Sequence, residues 1–293
     1  MKNMGFLGRL ALFMTAFIWG TSFVVLKNTL DSVGTLWVLA IRFSVSAVLL
    51  ALFAVKQLKR MDKRVVKGSV MMGLCLAVAY IVQTYGLKYT TPGKNAFLTA
   101  TYCVLVPFMA WGIYKRKPDA SNILAAFLCL IGIGFVSLSN LSEGVNVGDM
   151  LTLLCGVFYA LQIIMMEQYA AHGEALSIST VQFASAAALC WVGALLFEQP
   201  PVAVPTAAWL NIAYLSVMCT AVCFFLQAWG MKYTPSSTAA VLMTLESVFG
   251  TFISVLFYHE PMTAKLLLGF ALIFVAVLIS ETKPNLLKRR QKA

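Results

Sequence analysis

Ten stretches of about twenty predominantly apolar residues follow one another along the chain, joined by short polar loops. They run over 10–30, 35–55, 68–88, 94–114, 120–140, 148–168, 177–197, 208–230, 236–257 and 263–281. A bilayer core is about 30 Å thick and offers the backbone no water, so each stretch has the length of one spanning helix and must bond its own amides. Composition agrees with this reading: 60% of residues are apolar and 11% charged, against about 25% charged in soluble domains. The fold class expected is all-α: a polytopic membrane protein of ten transmembrane helices.

A net charge of +11 could serve a nucleic acid, but its distribution excludes that partner. Lys56, Lys59, Arg60, Lys63, Arg64 and Lys67 crowd one loop, Lys115 to Lys117 a second, and Lys288 to Lys292 the C-terminus. Short basic loops between apolar spans orient a membrane protein with those loops in the cytoplasm. With both termini inside, seventeen of the 22 Lys and Arg fall on the cytoplasmic side. The plasma membrane of a bacterium is the expected location. The N-terminal run lacks an A-x-A cleavage site and reads as an uncleaved first span. The seven cysteines lie in apolar segments without a C-x-x-C pair, which points to neither disulfide nor metal. No cofactor is expected: "HEPMT" lacks the second histidine of a zinc motif, and no glycine-rich phosphate loop occurs. His172 and His259 sit at span ends and read as surface residues.

The chain also repeats itself. "QTYGLKYTTPGKNAFLTATYCVLVP" from Gln83 aligns with "QAWGMKYTPSSTAAVLMTLESVFGT" from Gln227, 144 residues later. The first copy of five spans occupies 1–143 and the second 144–293, with the polar "NLSEGVNVGD" between them. An odd number of spans per copy requires the second to insert upside down, the architecture of secondary transporters with a midplane site between inverted halves.

These residues resemble the drug/metabolite transporter superfamily, specifically the ten-helix EamA-type permeases. The likeness is carried by "FIWGTSFVVLK", "AIRFSVSAVLL", "FLTATYCVLVPFMAWGIYKRK" and "LESVFGTFISVLFYHEP", and covers nearly the whole chain. It implies a transporter, with export favoured, and a pocket among spans 1, 3, 4, 6, 8 and 9. The family pattern has a Gly-Glu pair where this chain reads "YKRKPD"; Glu260 keeps the carboxylate in the second copy.

Glu246 is the leading candidate site residue. A carboxylate at mid-bilayer costs about 2.5–3.5 kcal/mol and calls for a cavity or a partner. It could contact a substrate ammonium or couple protons; the alternative is a Glu hydrogen-bonded to a neighbouring helix. Its partner in the repeat is Tyr102, which with Thr99 and Asn95 forms a polar face of span 4. The same helical wheel puts Glu246 beside Ala239, Met243, Gly250 and Ile253, a face with room for a ligand, and Ser247, Thr251 and Ser254 on a packing face. Gln83 with Gln227, Trp19 with Tyr159, and Gln162 with Ser22 are matched positions that either line a two-fold cavity or bond helices together. Tyr80, Phe97 and Phe249 are candidate apolar walls. Arg42 is expected to snorkel to the outer surface or tie helix ends, with an anion contact as the minority reading. Ser69, Gly73 and Ala77 suit close helix packing.

The expected function is secondary transport of a small organic metabolite, an amino acid or another cationic or zwitterionic compound, by alternating access with protons as a candidate coupling ion. A facilitator of the same fold is the alternative; a nucleotide-sugar carrier would want more basic residues at mid-membrane, and a membrane enzyme lacks catalytic pairs. The partners expected are the substrate and lipid, with protons as a candidate, and the oligomeric state is left open, a monomer being compatible with the fold.

Overall fold

A computed structural model describes residues 2–115, 117–137, 146–258 and 262–282. Arg116, part of the linker at 138–145, His259, Glu260 and the basic C-terminal residues from Lys283 onward lie outside them. The described residues are helical nearly throughout, and the helices follow the apolar stretches. The first half holds α1 (Lys2–Leu30), α2 (Thr35–Leu58), α3 (Lys63–Lys88), α4 (Pro92–Thr99), α5 (Tyr102–Tyr114) and α6 (Ala120–Ser137). The second holds α7 (Val147–Ala170), α8 (Ala175–Phe197), α9 (Thr206–Ser216), a π-helical turn (Val217–Val222), α10 (Cys223–Met231), α11 (Ser236–Met243), α12 (Leu245–Tyr258) and α13 (Ala264–Thr282). Among the described residues eight helical segments are long and apolar enough to cross a bilayer, and Ala120–Phe135 and Leu267–Ser280 are shorter apolar helices. The protein is an integral membrane protein.

Local chemistry sets the helix starts. Asp62 accepts from the Arg64 amide at the head of α3, and Thr91 accepts from the Lys94 amide with Pro92 at the first position of α4. Asn146 and Asp149 cap α7 reciprocally. Apolar side chains cover the outside as well as the core: Leu52 and Phe53 of α2 are each 70% exposed and Phe197 of α8 is 79%. That surface would aggregate in water and is ordinary against lipid.

The main packing pairs join one half to the other: α2 on α8, α3 on α7, α6 on α13, and α1 on both α10 and α12. Two of these crossings are matched glycine contacts. A Cβ at Gly86 would lie 2.8 Å from the Gly148 carbonyl, and one at Gly230 would lie 2.7 Å from the Gly8 carbonyl. No real Cβ tolerates such a distance, so glycine lets the backbones meet there. Gly73 likewise faces α8, where an added Cβ would meet Ser185 at 2.8 Å, in keeping with the small-residue run.

Candidate functional site

The fourth and ninth apolar helices, which carry Tyr102 and Glu246, are each interrupted within their length. The fourth span stops at Thr99 and resumes at Tyr102; the ninth stops at Met243 and resumes at Leu245. At each break a threonine turns its hydroxyl back onto the carbonyl three residues earlier, Thr101 onto Leu98 at 2.7 Å and Thr244 onto Val241 at 2.5 Å. Such back-bonding competes with the helical ladder and bends it. Pro107, one turn and a half further, supplies no amide to the ladder of α5.

The second half-helix of each pair begins with the residue the sequence singles out. Tyr102 opens α5 and Glu246 stands in the first turn of α12. Tyr102 donates its hydroxyl to Glu246 Oε1 at 3.0 Å, and the two are 3% and 4% exposed. A carboxylate there also meets the positive end of the α12 dipole. The break has a cost for the helical-wheel reading. Ala239 and Met243 belong to α11 and do not extend the face of α12. Gly250 faces protein, since a Cβ on it would lie 3.0 Å from Ala96 Cβ.

A second discontinuity places Arg42. In the eighth span the π-turn sets Thr220 Oγ1 onto the Leu215 carbonyl, five residues back, at 2.8 Å. It presents the Cys219 carbonyl to the first half, where it accepts from Trp19 Nε1 at 2.8 Å and from Arg42 Nη2 at 3.4 Å. Arg42 Nε donates to Thr220 Oγ1, Nη2 donates to Tyr80 Oη at 3.3 Å, and the guanidinium lies 4.7 Å from the Tyr80 ring centre. Arg42 is 1% exposed, so the snorkelling expectation is corrected. The cause is the π-turn, which supplies acceptors at that depth and removes the need to reach the surface.

Glutamines 83 and 227 occupy matched places with different partners. Gln83 Nε2 donates to Thr99 Oγ1 at 2.8 Å, and its Oε1 accepts from Tyr159 Oη at 2.7 Å. Gln227 Nε2 reaches only Met243 Sδ, at 3.7 Å, and its Oε1 has no donor among the described residues. Gln162 Nε2 bonds Gln182 Oε1 at 3.4 Å.

One cavity gathers these groups. Its walls are formed by Trp19, Arg42, Tyr80, Gln83, Thr99 and Tyr102 from the first half, with Tyr159, Gln162, Phe224, Gln227 and Glu246 from the second. Nine of the ten candidates border it; Asn95 does not, and instead donates to Thr152 Oγ1 and to the Gln83 carbonyl. Phe97 stacks on Phe270, and Phe249 packs edge-on against Phe13 and Phe17, so neither is a wall. Sequence reasoning missed Phe224 and undervalued Arg42, and an Arg within an apolar run was the available signal for the latter. Water-sized free space totals about 30 Å³, room for about two waters.

The two ends of the bundle differ. On the face holding loops 31–34, 89–91 and 198–205, contacts tie the halves together. Glu198 Oε2 accepts from the Leu36 amide at 2.9 Å, and its Oε1 accepts from Tyr85 Oη at 2.9 Å. Lys94 pairs with Asp149 at 2.7 Å, and Asn146 Nδ2 donates to the Tyr89 carbonyl. The opposite face carries the basic loops and has open recesses. One of about 660 Å³ is bordered by Lys56, Arg60, Asp62, His172, Glu174 and Lys232.

Known proteins resemble this chain over most of its length. The model of the EamA-like transporter family matches twice, at residues 6–138 and 146–282. An uncharacterized transporter of Archaeoglobus fulgidus is 34% identical over 281 residues, covering 92% of this chain and 84% of its own. The uncharacterized transporter YoaV of Bacillus subtilis is 21% identical, covering 92% and 95%. A crystal structure shares the fold with a TM-score of 0.78 at 17% identity, over 98% of this chain and 99% of that one.

Proposed function

The chain belongs to the EamA-like transporter family, and from that premise we propose that it is a secondary transporter of a small amino acid or other cationic or zwitterionic metabolite, driven by protons through Glu246. The observation that carries the proposal is the Tyr102–Glu246 hydrogen bond, made where two broken helices meet in a cavity lined by both halves. Broken helices at the midplane are where inverted-repeat carriers place substrate and coupling ion. A carboxylate held by one tyrosine can release it for a proton or for a substrate ammonium, and the two then compete for one group. Arg42 gives the same cavity a cation for the carboxylate end of a zwitterion.

The matched glycine crossings and matched helix breaks support two inverted five-helix halves rocking about the site. In that scheme the Glu198 and Lys94–Asp149 ties close one mouth, and the basic loops mark the cytoplasmic face with both termini inside. Transport in the export direction, in a bacterial plasma membrane, completes the proposal. The test is uptake of a pool of amino acids and amines into proteoliposomes with and without a pH gradient. Accumulation that follows the gradient and is lost in Glu246→Gln is expected; uptake, affinity and pH dependence unchanged in that variant would refute the assignment. Gradient-independent equilibration by the wild type would identify a facilitator.

A further inference from the structure

Gln227 borders the cavity with a buried amide oxygen that lacks a protein donor among the described residues. Its side chain is 1% exposed and borders the same cavity as Glu246. The cause is visible by comparison with Gln83. Where Gln83 has Thr99, Gln227 has Met243, 144 residues on, and a thioether accepts weakly and donates nothing. Where Gln83 has the Tyr159 hydroxyl, Gln227 has Trp19, whose indole N–H is committed to the Cys219 carbonyl. The amide orientation follows from chemistry, since only the NH2 end can bond Met243 Sδ. That leaves Oε1 as an acceptor in need of a donor.

We propose that Gln227 Oε1 and Glu246 together form an ammonium subsite for amines that carry N–H groups, so that the pocket takes a primary or secondary amine and rejects its trimethylated analogue. This rests on the cationic reading above and sharpens it. The aromatic walls, with Trp19 and Phe224 centred 5.0 Å apart and Tyr80 and Tyr159 5.5 Å apart, would by themselves suit a quaternary cation as well. The unpaired oxygen distinguishes the two. In the proposed subsite a primary ammonium donates to both Glu246 and Gln227, whereas a trimethylammonium donates to neither and leaves a buried acceptor unpaired.

The full chain in detergent, titrated calorimetrically with n-butylammonium and with N,N,N-trimethylbutylammonium, tests this. The primary amine is expected to bind at least about tenfold more tightly, as for sites built to bond an N–H. Gln227→Leu should bring the ratio to within about twofold, and Gln227→Met, close in shape, should do the same. Equal or tighter binding of the trimethyl compound by the wild-type protein would overturn the proposal, and that result needs no variant to fold. A preference surviving both substitutions would overturn it too. If both compounds bind equally and Glu246→Gln weakens both, the cationic reading stands and only the Gln227 assignment fails. If neither binds, both fail.

Discussion

Gln83 and Gln227 begin the same sequence motif in the two halves, yet one amide is bonded at both ends and the other at one. The same divergence recurs around the cavity. Tyr102 faces Glu246, and buried Arg42 stands in the first half where the second has Gln182. The scaffold keeps the correspondence: helices break at Ala100–Thr101 and at Thr244, and Gly86 meets Gly148 as Gly8 meets Gly230. The helix breaks of spans four and nine and the glycine crossings thus match between the halves, apart from the π-turn of the eighth span, while the polar groups lining the shared space have diverged. The proposed rocking of the halves rests on the matched frame, and the proposed site on the asymmetric lining.

The comparison is sharpened by substituting matched positions in pairs. The largest difference is expected at Arg42 and Gln182. Arg42→Leu removes hydrogen bonds from a charged donor to Thr220, Tyr80 and the Cys219 carbonyl together and should cost about 3 kcal/mol. Gln182→Leu should cost about 1 kcal/mol, because it breaks one long hydrogen bond. Thermal unfolding in detergent reads both, and equal losses would break the contrast. Next come the glutamines. Gln83→Leu orphans Tyr159, leaves Thr99 with only Cys155, and should cost about 1–3 kcal/mol, whereas Gln227→Leu should be close to neutral for stability without ligand. A Gln227→Leu loss as large as that of Gln83→Leu would mean that the unbonded oxygen is in fact serving the fold. The smallest effect concerns the two ends of the bundle. Glu198→Gln weakens charge-assisted bonds to the α2 amides by about 1 kcal/mol. A thiol reagent should then label a cysteine introduced at the buried Leu36 a few-fold faster, while one at the buried Ile178 on the other face is unaffected.

Much of this was legible in the sequence, and for a physical reason. Lipid demands about twenty apolar residues per crossing, so the span limits follow from hydropathy, and α2, α8 and α11 begin within about two residues of the expected positions. The repeat brought Tyr102 and Glu246 into correspondence, and nine site candidates do border one cavity. What escaped is local backbone geometry. A break at Thr244 cuts Ala239 and Met243 off from the face of α12, and Gly250, one turn beyond Glu246, packs against Ala96 where the wheel expected room. A π-turn has no residue signature in "VMCTAV", so nothing announced the acceptors that hold Arg42 inside. Asn95 shares the polar face of the fourth span, but Thr152 and the Gln83 backbone claim its amide.

The central claim is that function resides in the diverged member of each matched pair. It is tested most directly by proton-driven accumulation in proteoliposomes of Glu246→Gln against Tyr102→Phe, with the compound that the wild-type protein accumulates. Glu246→Gln should abolish accumulation against a gradient, while Tyr102→Phe, which removes one hydrogen bond and keeps the carboxylate, should retain coupling with a rate reduced about tenfold. Equal loss in the two variants, or coupled accumulation surviving Glu246→Gln, would contradict it.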